Sequence, residues 1–214
     1  MTMGDKNLYG KLIVDVVICP VLEKLERKDI SAAQTLRSAI SKAESKLPGL
    51  TYDLVRGLLQ QAELADKMDL CQTLLRLGGV TETEEIRIPR SEAIYRELND
   101  CSVDLKRILG RIPEQIYDRK QFLETIKEIA SSIKTLLDAV NKVIAEMPPH
   151  MVENGTKQVL EDRKKEFVRY SKKFSNTLKE YFRDTSLNQS VFLSANHLIH
   201  QTNLILKTVR QDVC

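Results

Sequence analysis

The sequence predicts an all-α fold, and three observations carry that prediction. Gly and Pro number only 8 and 6 in 214 residues, and these two punctuate strands and turns. Hydrophobic residues make up 42% of the chain while aromatics make up 5%, with no Trp. The core is therefore aliphatic, as in helical bundles. Beyond residue 92, apolar positions recur at helical spacing in four long runs, and no alternating run competes with them.

The first segment, about Leu8–Arg27, places Leu12, Val16, Val17, Val21, Leu22 and Leu25 at helical spacing, with a break or kink near Pro20. Ser31 reads as the N-cap of a helix whose apolar face is Ala32, Leu36, Ala39, Ile40 and Ala43. Pro48 and Gly49 stop it. Thr51 reads as the cap of a short helix carrying Leu54, Val55, Leu58 and Leu59. A further short helix, about Asp66–Leu77, ends at Gly78-Gly79. Residues Val80–Ser91, rich in charge and Thr, form a connector. Then come helices over about Glu92–Arg111, Glu114–Glu146, Lys157–Asp184 and Gln189–Gln211, with a loop at Met147–Thr156. Short links between four amphipathic helices favour an up-down bundle. The expected organisation is a helical dimerisation domain at 1–79, the connector at 80–91 and the four-helix bundle at 92–214.

Charge and motifs exclude several classes of function. Residues 1–91 carry 13 basic and 13 acidic residues, so the net +3 sits in the bundle half. That excess is too small to argue for nucleic acid. Cys19, Cys71, Cys101 and Cys214 form no CxxC pair and fit no zinc spacing, which suits a reduced, cytoplasmic chain. Cys214 is the last residue, so no prenylation box is present. No apolar run reaches membrane-spanning length. There is no phosphate loop, dinucleotide fingerprint, HExxH or GxSxG, and no cofactor is expected. His197 and His200 stand three apart on the last helix, but no Cys, Asp or Glu lies at a useful ligand spacing. Hydrogen bonds to the neighbouring Asn196 and Asn203 suit them better.

Two lysine pairs are the candidate site. Lys127 and Lys134, and Lys172 and Lys179, are each seven apart, so each pair stands on one helix face roughly 10 Å apart. Ala130, Ser131 and Ile133 lie between the first pair, and Ser175 between the second. On a helical wheel each pair sits about 120° from its core stripe, on the shoulder and not opposite. Neighbouring helices of this kind would make a shallow groove with basic rims, suited to an acidic amphipathic helix. Four ordinary surface lysines would give the same spacing. The short N-terminal helices bury little surface alone, and Leu36, Ala39, Leu58 and Leu59 could close against a second copy or fold back on the bundle.

Longer strings then carry a resemblance. "ISAAQTLRSAISKAE" with "PGLT", "FLETIKEIASSIKTLLDAVN", "KKEFVRYSKKFSNTLKEYF" and "SANHLIHQTNLIL" closely resemble the programmed cell death protein 10 family, also called the third cerebral cavernous malformation protein. The likeness spans most of residues 25–210 and is weakest through Cys19 and over Gln61–Ile94. It implies a non-enzymatic adaptor. Its N-terminal module would form homodimers, or heterodimers with germinal-centre-kinase-III kinases, through Leu36, Ala39, Leu58 and Leu59. Its bundle would resemble a focal-adhesion-targeting domain and bind leucine-aspartate motifs, as in paxillin and malcavernin, and also striatin. The resemblance maps the groove onto Lys127, Lys134, Lys172 and Lys179, with Ala130, Ile133 and Ser175 between. It further implies roles in apoptosis, cell migration and vascular junction signalling, and peripheral association with Golgi and plasma membrane. Phosphoinositide binding by the same basic face is the alternative.

Overall fold

The computed structural model describes residues 2–149, 152 and 154–211. Cys214 and part of the expected loop Met147–Thr156 lie outside them. The described residues form helices and turns, with no strand among them. The chain begins as one rod: α1 (Met3–Ile13), a π-helical turn (Val14–Ile18) and α2 (Cys19–Glu26). Thr2 and Asp5 close a capping box at its start. The expected break at Pro20 is a π turn instead. Pro20 lacks the N–H that would bond Val16, and the ladder shifts ahead of it, so that Cys19 N–H reaches Val14 O. This shift turns Leu8, Leu12, Ile13, Val16, Cys19 and Leu22 inward and leaves Val17 and Val21 exposed, against the simple helical reading.

Two helices flank the rod. α3 (Ile30–Lys46) packs on α2, and α4 (Leu50–Gln61) packs on α1, where Tyr9 stacks on Tyr52 with centroids 5.7 Å apart. Both expected caps were misplaced. Asp29, not Ser31, accepts the N–H of Ala32 at 2.9 Å. Gly49, in the left-handed region at φ 90°, precedes α4. Thr51 instead donates its hydroxyl to Glu44 at 2.7 Å. Glu44 is buried and also accepts the N–H of Gly49 at 2.6 Å and of Thr51 at 2.9 Å. One carboxylate thus satisfies two backbone donors of the α3–α4 turn.

The sequence reading grouped residues up to 79 with the N-terminal module. α5 (Leu70–Val80) instead packs on α6 (Ala93–Gly110) and on α10 (Asn188–Gln211). The crossing with α6 is close because both helices offer glycine: a Cβ on Gly79 would lie 2.7 Å from the Gly110 Cα. The segment between α5 and α6 is fastened at many points. Ile86 and Ile88 are buried, and the Asn99 side chain of α6 accepts from Ile88 N–H at 3.1 Å and donates to Ile88 O at 3.0 Å.

The bundle consists of α6, α8 (Arg119–Ala145), α9 (Thr156–Arg183) and α10, with a short α7 (Ile112–Gln115) entering α8. The expected single helix from Glu114 is divided here, and Asp118 caps α8 by accepting from the N–H groups of Lys120 and Gln121. α6 pairs closely with α8 and α9 with α10, whereas α8 and α9 touch less extensively. Most of α10 is buried, polar residues included. Asn196 donates to Cys71 O at 2.8 Å. Asp15, on the π turn and buried, accepts from Lys207 at 2.6 Å and from Asn203 at 3.2 Å. Asp15→Ala should therefore lower stability by about 2 kcal/mol in urea unfolding, since it leaves Asn203 without its buried acceptor. Lys207→Met should cost at least as much, because it leaves the buried Asp15 carboxylate without its cation.

Candidate functional site

The seven-spaced lysines fall on α8 and α9, the loosely joined pair of bundle helices. Phe122, Ile129 and Leu136 of α8 and Phe167, Phe174 and Leu178 of α9 are buried between the layers. Ile126, Ile133 and Leu137 form a half-buried stripe beside them. Lys164 donates to Asn141 at 2.9 Å, and the Phe122 and Phe182 rings lie 5.9 Å apart, so the facing sides of α8 and α9 are fixed at both ends. Lys127, Ala130 and Lys134 of α8 and Lys172, Ser175 and Lys179 of α9, the candidate groove rims, are all exposed. Ser175 spends its hydroxyl on Ser171 O at 3.0 Å, which leaves a small surface between the lysines.

Charge is available at this rim. Lys127 pairs with Glu124 at 3.0 Å in an exposed bridge of little energetic worth. Lys134, Lys172 and Lys179 make no ion pair with any described residue. Asp138 stands one turn beyond Lys134 and bounds the basic stretch.

One expected residue lies elsewhere. Ser131 lines a separate cleft of about 520 Å³ between α6 and α8, together with Cys101, Ile108 and Arg111. Two residues went unnoticed in the sequence. Leu123 (42% exposed) is one turn before Lys127, and Phe182 (38% exposed) one turn after Lys179. Both extend the lysine faces, and an exposed large apolar residue at that spacing was the signal.

The second candidate surface lies on α3 and α4. Leu36 is 45% exposed and Leu58 is 56% exposed; Ala39 is exposed and Leu59 half-buried. Leu47, Leu50 and Leu54 are exposed beside them. On α4, Leu50, Leu54 and Leu58 form one continuous stripe at four-residue spacing. An exposed apolar stripe of this kind is a candidate interaction surface.

Comparison with known proteins places both parts of the chain in one family. Residues 6–65 match a family model described as Programmed cell death protein 10, dimerisation domain. Residues 68–161 match one described as Programmed cell death protein 10, C-terminal. The first match contains α3 and α4, and the second begins just ahead of α5. A Programmed cell death protein 10 homolog from Caenorhabditis elegans is 38% identical over 220 residues, covering 99% of each chain. That likeness runs through the stretches where the sequence strings were weakest, and through Lys172 and Lys179, which lie past the second model's match.

The two histidines do not converge with other ligands. Among the described residues no group of three His, Cys, Asp or Glu could hold a metal ion. His197 stacks on Tyr170, with centroids 4.7 Å apart, in place of the expected hydrogen bond to Asn196. His200 is buried, and its Nδ1 has no partner. Burial pushes both imidazoles down to about 4, helped by Lys173 at His197 and by Lys11 and Lys207 at His200, with Asp5 and Asp15 opposing. In the unfolded chain they protonate near 6.5. Between these values the unfolded state binds more protons, so this stability is complete above about pH 6.5 and is lost as pH falls toward 4. Urea midpoints should fall steadily from pH 7 to pH 4.5, and the double variant His197→Phe, His200→Gln should flatten that slope.

Proposed function

The chain belongs to the programmed cell death protein 10 family, and from that premise we propose that it is a non-enzymatic adaptor. It dimerises through α3 and α4 and captures acidic, leucine-bearing helices in the trough between α8 and α9. The observation that carries this reading is the coincidence of unpaired Lys134, Lys172 and Lys179 with a half-buried apolar floor and exposed Leu123 and Phe182. A leucine-rich helix would supply the apolar contact, and its carboxylates would meet the rim. The exposed lysines act chiefly on encounter rate and salt sensitivity.

Within this reading the partners are those of the family: a second copy, or germinal-centre-kinase-III kinases, at the leucine surface. Leucine-aspartate motifs of the malcavernin and paxillin type bind in the trough, and striatin engages the bundle. The same reading places the protein in the cytoplasm, with peripheral visits to Golgi and plasma membrane, in apoptotic and vascular-junction signalling. The described helices support no membrane span, since none is long and apolar enough. On this view the dimerising part ends ahead of α5, short of the expected residue 79, and 80–91 joins α5 to the bundle of 92–214. A second reading, phosphoinositide binding, is favoured by the same unpaired lysines.

The double variant Lys134→Asp, Lys179→Asp should abolish binding of a labelled leucine-aspartate peptide in fluorescence polarisation, while far-UV circular dichroism stays unchanged. Unchanged affinity would sink the groove. Lipid-dependent pelleting of the native chain with phosphoinositide vesicles, lost in the double variant and indifferent to the peptide, would instead favour the second reading. At the other surface, Leu36→Asp should convert a dimer to a monomer in light scattering at micromolar concentration. A native chain that is already monomeric there counts against self-association.

A further inference from the structure

The segment between α5 and α6 closes over a cavity of about 330 Å³ that lies apart from both candidate surfaces. Thr83 and Ile86 come from the segment, Val103 and Lys106 from α6, and Leu206 from α10. Two of these residues are buried with unused polar groups. Lys106 is only 4% exposed and makes no hydrogen bond or ion pair with any described residue. The acids that act on it, Glu82 and Asp15, do so from beyond ion-pair range. Thr83 is 3% exposed, and its Oγ1 is buried without a partner.

A lysine buried along its stem whose ammonium has no ion-pair partner, and a buried hydroxyl without a partner, are both costly. Other polar groups of the wall are spoken for. Asn99 is engaged with Ile88 through both its oxygen and its nitrogen, and Asp104 is bridged by Arg107. That leaves Lys106 and Thr83 as donors within, and Glu82, Asp100 and Arg87 as charges on the lining.

We propose that this cavity binds a small zwitterion, whose oxyanion accepts from Lys106 Nζ and Thr83 Oγ1 and whose ammonium meets Glu82 and Asp100. The volume is at the low end for small-molecule sites and too narrow for a helix about 10 Å across. The acids of the lining disfavour ligands with several uncompensated negative charges, such as nucleic acid and polyphosphates. Oxyanions of two kinds fit the inner pair, a carboxylate or a phosphate monoester.

An occupant here would bear on how the two halves of the chain are joined. The same segment receives the rod: Glu84 N–H donates to Glu23 at 2.7 Å, Cys19 donates to Glu85 at 3.0 Å, and Arg37 forms ion pairs with Glu85 and Glu26. A ligand held between Thr83 and Lys106 pins this segment to α6 from the other side.

The test is a nuclear magnetic resonance titration of the full chain at constant ionic strength. β-Alanine and phosphoethanolamine are the zwitterions, and acetate and inorganic phosphate the matching bare anions. Saturable shifts at the amides of Thr83, Val103 and Lys106 are expected, with each zwitterion binding more tightly than its bare anion. The preferred zwitterion identifies carboxylate or phosphate. Lys106→Met, which keeps the apolar stem, and Thr83→Val should each weaken binding roughly tenfold or more. Should Lys106→Met fail to fold, Thr83→Val makes the same comparison. The proposal is overturned if none of the four compounds gives saturable shifts at these amides, if a folded variant binds undiminished, or if the bare anions bind as tightly as the zwitterions.

Discussion

The position of one buried carboxylate organises this fold. Asp15 sits in the π turn of the first rod and reaches into the bundle, where it accepts from Lys207 and Asn203 of α10. A charge in that position is tolerated only with its acceptors filled and a cation beside it. The rod is therefore held at one register against α10. A straight α-helix through Val14–Ile18 would rotate every later residue of the rod relative to α1. The π turn, placed just before a proline that cannot donate, keeps Leu12, Val16 and Leu22 on one buried side.

With the rod fixed, the exposure of α3 and α4 follows. Each packs on a different part of the rod, and they meet one another only around their shared turn. Glu44 holds that turn by filling the backbone donors of Gly49 and Thr51. The two helices cannot close on each other to hide Leu36 and Leu58, so their leucines stay outside. The bundle shows a comparable constraint. α10 is claimed by α5, α6, α9 and the rod, and this leaves α8 and α9 as the neighbouring bundle helices with the least mutual contact. The trough is a consequence of where α10 spends its surface.

The architecture was legible because long helices with a period of 3.6 announce themselves. The four bundle helices and their buried faces at Leu98, Phe122, Phe167 and Ile199 follow directly from apolar spacing. The lysine faces were legible for the same reason. What escaped depended on contacts distant in sequence. Ser31 and Thr51 are plausible caps by residue type, but Asp29 precedes one and Glu44, seven residues back, claims the other. α5 resembles the short helices before it, and its packing on α6, with Gly79 against Gly110, is a contact distant in sequence. Ser131 lies on the lysine side of a wheel yet turns toward α6, because the wheel does not say which neighbour occupies each shoulder. The segment 80–91 reads as solvent-facing by composition, while its two isoleucines are buried and its backbone is held by Asn99.

The two candidate surfaces differ in a way that bears on their partners. The stripe of Leu50, Leu54 and Leu58 offers apolar area with little charge to choose among partners, the character of a surface that meets its own kind or a related fold. The proposed trough between α8 and α9 offers less apolar area, since Ile133 and its neighbours are already half-buried, and is rimmed by lysines of which only Lys127 has an ion-pair partner among the described residues. Area alone would make such a trough a weak site. Its selectivity rests on charge, because an acidic helix gains at the rim what a basic one forfeits there. The proposed division of labour, a durable apolar junction at one end and an exchangeable, salt-sensitive one at the other, follows from how each surface balances leucine against lysine.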